Sequence, residues 1–169
     1  KINKKKLIVI IGPTASGKTA LSILLAEKLS TEILSCDSRQ FYKELKIGAA
    51  PPSKEQLQKI KHHFIQHLSI KDNYNTGQYE EDAIKKISSL FKTYDNLILV
   101  GGSGLYIDAI CNGLDNIPKT PKEIRDRINN EFTDKGITWL QEKIKHIDLD
   151  FYKQSDINNP QRLKRCLEV

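Results

Sequence analysis

With 169 residues and 38% hydrophobic content, the chain is long enough for one domain with a real core and a small appendage. Its net charge of +6, from 27 Lys+Arg against 21 Asp+Glu, permits a nucleic-acid partner without demanding one. No run approaches the roughly eighteen apolar residues of a membrane span, and the basic start KINKKK precedes too few apolar residues for a signal peptide.

The first element is the apolar run Leu7–Ile11, bounded by lysines before it and Gly12 after it, the pattern of a central parallel strand buried on both faces. Thr19–Leu29 carries Leu21, Leu24, Leu25, Ala26 and Leu29 at helical spacing, which predicts a helix packed through them. TEILSCD gives a second short strand ending at Asp37, Lys54–Lys61 a solvated helix, and FIQHLSI a strand or extended connection. A helix over Tyr79–Phe91 aligns Ala83, Ile84, Ile87 and Leu90. NLILVGG is a third strand, and GLYIDAICNGL opens another helix. Strands alternating with helices predict an α/β, doubly wound, mainly parallel sheet over residues 1–117.

From Pro118 to Val169 only charged amphipathic segments remain, punctuated at Lys135–Gly136 and Asn158–Pro160. They predict a helical inserted subdomain and, at its end, the start of a return to the sheet. Leu163 and Leu167 are still at helical spacing when the chain stops, and Lys1 stands in place of an initiator Met, so a longer natural chain is expected. Three scattered cysteines, Cys36, Cys111 and Cys166, lack metal-ligand spacing and predict free, buried thiols in a reducing, cytoplasmic setting.

Between the first strand and its helix, Gly12, Gly17, Lys18 and Thr19 satisfy G-x-x-x-x-G-K-[ST], with Pro13, Thr14, Ala15 and Ser16 as the variable positions. Glycines let successive backbone N–H groups curl inward around phosphate oxygens, and the following helix adds its positive end. Lys18 supplies a point charge, and the Thr19 hydroxyl completes a magnesium shell in sites of this kind. The loop is a phosphate site.

A nucleotide-hydrolysing protein of this class has an Asp at the end of a later strand. Here LILV ends in Gly101–Gly102 instead, and the acidic strand end is Asp37, in CDSRQ. A carboxylate there holds metal, orients an acceptor or takes a proton; alternatively it only caps the following turn. Something other than plain hydrolysis is expected.

Three further stretches are ambiguous. HHFIQH (His62–His67) has no carboxylate in a zinc-protease pattern and reads as a solvated or partly buried histidine cluster. GGSGLY (Gly101–Tyr106) either packs its backbone against the first loop or touches ligand. QRLKR (Gln161–Arg165) is a solvated helix face or a grip on nucleic-acid phosphates.

Taken in order, GPTASGKT (Gly12–Thr19), DSRQ (Asp37–Gln40) with Tyr42, IGAAPPS (Ile47–Ser53), HHFI (His62–Ile65), GGSGLYI (Gly101–Ile107) and NPQRLKRCLEV (Asn159–Val169) resemble the tRNA dimethylallyltransferase family. The resemblance implies transfer of a dimethylallyl group from dimethylallyl diphosphate to the exocyclic nitrogen of the adenine beside the tRNA anticodon. Gly12–Thr19 then hold the diphosphate, Thr19 assists with Mg2+, and Asp37 is the general base. Asp37, Ser38, Arg39 and Gln40 contact a flipped-out adenine. Ser103, where the family commonly has Thr, keeps the hydroxyl and joins the tRNA contacts with Arg125 and with Gln161, Arg162, Leu163, Lys164 and Arg165. The helical stretch after Pro118 corresponds to an inserted domain over the anticodon stem-loop. A cytoplasmic monomer with no membrane partner is implied.

The sequence departs from the family pattern at Ala49, Pro51, Lys61 and Gln66, where Thr, Lys, Pro and Asp are usual. It also lacks the family's later part, including an arginine that helps hold the diphosphate. Rival readings are a small kinase binding ATP, an adenylate isopentenyltransferase acting on free nucleotide, and a non-catalytic phosphate- or tRNA-binding module. Arg125 and Gln161–Arg165 favour a polynucleotide acceptor over a free one.

Overall fold

The apolar run after the N-terminal lysines forms β1 (Lys6–Ile11) of a computed structural model that describes residues 4–115 and 120–169. The chain divides into two units, residues 1–114 and 115–169; the boundary expected between 117 and 118 lies outside the described residues. In the first unit, β1 is followed by α1 (Lys18–Leu29), β2 (Ile33–Ser35), α2 (Lys54–Lys59) and β3 (His62–His63). Then come α3 (Thr76–Leu90), β4 (Asn96–Gly101) and α4 (Gly104–Asn112).

The four strands are all parallel, in the order β1-β4-β2-β3. Ile98 lies across from Ile8 on one side and Ile33 on the other. Because side chains alternate across a strand, that row falls on one face with Ile23 and Ala26 of α1. Leu34, Leu97 and Leu99 fall on the other, with Tyr79 and Ala83 of α3 and Ile107 of α4. Helices thus cover both faces, as the alternating pattern requires.

Some expectations shift. Helix α1 buries Ser22, Ile23 and Ala26, whereas Leu21 and Leu24 are about half exposed, at 49% and 50%. The run FIQHLSI forms no strand; only Tyr42 and Leu68 pair across it, and the edge strand is His62–His63 just before it. Glu32 anchors that edge: His63 donates Nε2–H to it at 2.6 Å, the Tyr94 hydroxyl at 3.1 Å, and Lys61 lies at 3.6 Å. Helix α3 starts three residues early, at a reciprocal cap between Asn75 and Gln78. Of the thiols, Cys36 is buried, but Cys111 is exposed and Cys166 half-buried; Cys111 lies on an outward position of α4.

The second unit is helical: α5 (Lys122–Ile147), α6 (Leu149–Gln154) and α7 (Pro160–Glu168). The turn expected at Lys135–Gly136 appears as a break within α5, where Gly136 has φ 72° and ψ −168°. Asn159 caps α7 and Pro160 occupies its first turn. Ile128, Leu140, Ile144 and Leu163 form the core of this unit.

Candidate active site

Three strands end beside one another at the same edge of the sheet, and their sequences dictate how closely. A Cβ built on Gly101, the last residue of β4, would lie 2.1 Å from the Cys36 carbonyl oxygen and 2.3 Å from its carbon. On Gly102 it would lie 3.2 Å from the Gly12 carbonyl. The two glycines therefore bring the strand end against both the Cys36–Asp37 turn and the phosphate loop, which assigns GGSGLY a close-packing role. Cys36 N–H donates to the Val100 carbonyl at 2.7 Å. Burial pushes the Cys36 thiol up to about 12, so it stays neutral and structural.

The phosphate loop curls as its glycines predict. Gly17, at φ 83°, precedes the first residue of α1, and Ala15 also adopts a positive φ of 65°. The Lys18 ammonium donates to the Pro13 carbonyl across the loop. Thr14, Ala15, Ser16, Gly17, Lys18 and Thr19 line a cleft of about 300 Å3. Gly12 and Pro13, expected with them, are not among the residues that line it.

Asp37 and Gln40 line the same cleft. The Asp37 carboxylate accepts from Arg39 N–H at 3.2 Å through Oδ1, so the turn-capping role is real. Its other oxygen, Oδ2, lies near Gly102, 4.0 Å from the position of an added Cβ. Gln40 is wholly committed: its Oε1 accepts from the Ser35 hydroxyl at 3.0 Å, and its amide donates to the Ala49 and Ala50 carbonyls, each at 3.2 Å. Ser38 N–H donates to Ser103 Oγ at 3.0 Å, and the two hydroxyls are 3.1 Å apart. Ser103 thereby ties the β4–α4 turn to the β2 turn. Arg39 is exposed.

The remaining sequence-derived positions lie in the helical unit. Glu168 binds both Arg125, at 3.4 Å, and Arg165, at 3.0 Å. Lys164 donates to Asn129 at 3.0 Å and sits 4.1 Å over the Phe132 ring. Gln161 and Arg162 are exposed, but Leu163 is fully buried and fixes α7 to its own core.

Sequence reasoning missed His62. It lies across from Ile33 in the β2–β3 ladder and lines the cleft with Ser22, Ser35 and Gln56. Its Nδ1–H donates to the Ile60 carbonyl at 2.8 Å. Burial holds its ring below the usual histidine range, against the pull of that carbonyl. Only the strand register reveals this placement.

For a divalent cation, no cluster of three or more His, Cys, Asp or Glu exists among the described residues. Thr19 and Asp37 share the cleft, which suits a Mg2+ held mainly by phosphate oxygens and water.

A parallel sheet with a G-x-x-x-x-G-K-[ST] turn and an acidic strand end beside it narrows the field, and the sequence model of the IPP transferase family matches residues 40–169. The chain belongs to the IPP transferase family. Among its relatives, the tRNA dimethylallyltransferase of Christiangramia forsetii is 53% identical over 163 residues, covering 96% of this chain and 54% of the relative. That of Flavobacterium johnsoniae is 51% identical over 171 residues, covering 98% and 55%. The full-length tRNA isopentenylpyrophosphate transferase of Bacillus halodurans superposes with a TM-score of 0.64 at 30% identity, over 98% of this chain and 55% of that one. A eukaryotic dimethylallyltransferase acting on tRNA superposes with a TM-score of 0.81 at 26% identity, over 98% and 41%. The chain thus spans about half the length of the curated relatives it matches. No helix among its described residues is long and apolar enough to cross a membrane.

Proposed function

We propose that this chain carries the diphosphate cradle and acceptor base of a tRNA dimethylallyltransferase. The observation that supports this most is the sharing of one cleft by Thr14–Thr19 and Asp37, the two chemistries that prenyl transfer to an amine requires. The diphosphate of dimethylallyl diphosphate rests on the loop N–H groups and Lys18. As the allylic carbon–oxygen bond breaks, its electron pair leaves on the diphosphate, where the fixed donors act most strongly. The exocyclic adenine nitrogen forms the new bond to that carbon, and Asp37 accepts the displaced proton. Bound Mg2+, held with Thr19, would neutralise part of the diphosphate charge.

The acceptor is the adenine beside the anticodon of a tRNA, flipped from its stack to reach the cleft. Asp37, Ser38, Arg39 and Ser103 meet the base, with Gln40 holding the cleft wall beside it through its bonds to Ser35, Ala49 and Ala50, while Arg125 and the exposed Gln161, Arg162 and Arg165 meet the anticodon stem-loop backbone. Lys164 joins them by leaving Asn129, and Leu163 supports the run from beneath. The protein works as a monomer in the cytoplasm. The test is to extend the chain to the length of its relatives and incubate it with labelled dimethylallyl diphosphate, Mg2+ and tRNA. Label in the adenosine fraction of the nucleoside digest supports the reading. Transfer of the terminal phosphate of ATP, with no prenylated nucleoside, overturns it in favour of a kinase.

A further inference from the structure

The first turn of α5 and the last turn of α7 are joined through a single carboxylate. Glu168 Oε2 lies 3.4 Å from Arg125 Nε and 3.0 Å from Arg165 Nη1. The same Arg165 nitrogen donates to the Thr120 hydroxyl oxygen at 3.3 Å, and that hydroxyl donates in turn to the Glu168 carbonyl at 3.2 Å. Exposed pairs of opposite charge usually contribute little, but this group is layered. The Glu168 side chain is only 15% exposed, whereas those of Arg125 and Arg165 are 48% and 47% exposed. The carboxylate is the floor, and the two guanidiniums are what solvent meets.

The arrangement leaves donors unused. A guanidinium has five N–H groups, yet Arg125 meets the carboxylate through Nε and Arg165 through Nη1. The other N–H groups of both have no partner among the described residues. Two guanidiniums and one carboxylate carry one net positive charge, which a single phosphodiester neutralises. Because both cations sit on one oxygen atom, they are held within the span of one phosphate group. Without that oxygen the two arginines would repel each other, and each would lose rotamer freedom on binding.

We propose that Glu168 is a positioning residue for RNA: its carboxylate sets Arg125 and Arg165 as one clamp on a single backbone phosphate. The clamp rests on the reading of this chain as acting on tRNA, and adds to it an acidic residue that touches no RNA itself. Glu168 acts from beneath, holding the two forks with their free N–H edges outward, so that the freedom of both side chains is already spent before the phosphate arrives. Thr120 completes the floor by tying the Glu168 backbone to the segment that enters α5. Nearby Lys164, seated on Asn129 and Phe132, lies outside this group.

Binding of tRNA by the chain extended to its relatives' length, measured from about 50 to about 200 mM salt, tests this. Glu168→Gln removes a negative charge, which on charge alone would tighten binding to RNA. The clamp instead requires about tenfold weaker binding and a log–log salt slope flatter by about one unit. Glu131→Gln, which removes an acid paired with Lys135 within α5, is the control and should bind as the parent does or slightly more tightly. Arg125→Ala and Arg165→Ala should each flatten the slope by about one unit, and the double variant by no more than either alone, because one phosphate serves both. That arginine series decides the question even where Glu168→Gln lowers stability. A role confined to fastening α5 to α7 would lower the unfolding midpoint and leave the slope alone. Unchanged or tighter binding by Glu168→Gln, or arginine effects that add, overturns the clamp while the tRNA reading stands. A parent that binds no tRNA removes that reading, and the clamp with it.

Discussion

Replacing Gly101 with alanine puts a methyl group where the backbone of Cys36 already is. The added Cβ would sit 2.1 Å from one backbone atom, 2.3 Å from a second and 3.0 Å from Asp37 N, against an ordinary separation of roughly 3.5 Å or more. No rotamer relieves this, because all three obstacles are main chain. The ends of β2 and β4 must part by about 1 Å, stretching the 2.7 Å bond from Cys36 N–H to the Val100 carbonyl. Overpacking of this kind costs about 3 kcal/mol, at the upper end of the usual range, which raises the unfolded fraction more than about a hundredfold. Gly102→Ala, whose nearest obstacle is the Gly12 carbonyl at 3.2 Å, should cost about 1 kcal/mol. Gly104→Ala meets nothing within 4 Å and should be neutral or slightly stabilising, since alanine is the better helix former. Urea unfolding followed by near-UV circular dichroism of the tyrosine-rich first unit reads this order directly. A Gly101→Ala protein with the midpoint of the parent would refute the close contact between the two strand ends. Because Asp37 follows Cys36, the same variant should also lose prenyl transfer in the extended chain.

Asp37→Asn keeps the Arg39 N–H bond but removes the proton acceptor, and should lower single-turnover transfer by about 10²–10⁴ while diphosphate binding persists; an unchanged rate would remove Asp37 as the base. Lys18→Ala should weaken protection of the extended chain against unfolding by dimethylallyl diphosphate, measured as the ligand-induced shift in melting temperature. For Glu32, burial favours the neutral acid, but the bonds from His63 and Tyr94 and the charge of Lys61 outweigh it and hold the carboxyl below its ordinary value. A depressed carboxyl adds stability above its unfolded value and loses it as pH falls through the folded one. The stability advantage of the parent over Glu32→Gln should therefore shrink between about pH 5 and about pH 3; a gap independent of pH would contradict the linkage. Replacing Arg162 and Arg165 with alanine should flatten the salt dependence of tRNA binding by about one to two units of log–log slope, and an unchanged slope would assign them to a solvated face.

Much of this was legible in the residues because each feature had a local cause. The glycines after β1 and the run LILV each specify one structure without reference to distant sequence, whereas the run of β1 specifies a strand but not its place: among the described residues it lies half-buried at the sheet edge and not, as its composition suggests, in the centre. The edge strand His62–His63 was not legible, since two residues carry no period and only the ladder with Ile33 and Leu34 defines them. For the same reason His62 read only as part of a solvated or partly buried cluster; it is partly buried, but nothing in its spacing shows that it borders the cleft. The leucines of α1 misled in the opposite sense: Leu21 and Leu24 have helical spacing, but the small residues Ser22 and Ala26 are what let the helix approach the sheet. QRLKR read as a solvated face or a grip on nucleic-acid phosphates, whereas in the structure Glu168 and Phe132 engage Arg165 and Lys164 individually. The Arg165–Glu168 pair is readable from its i,i+3 spacing, but no local spacing encodes the seat of Lys164 over Phe132.

The Gln40 amide binds Ala49 and Ala50 through their backbone carbonyl oxygens. Every amino acid provides that oxygen, so the hydrogen bonds of this tether do not themselves select the side chains at 49 and 50, although the burial of Ala49 and the positive φ of Ala50 still favour small residues there. A substitution at Pro52, which also lines the cleft, can alter its wall while leaving these two bonds in place. One glutamine thus lets the position of this segment be set by backbone groups, while its side chains shape the cleft wall.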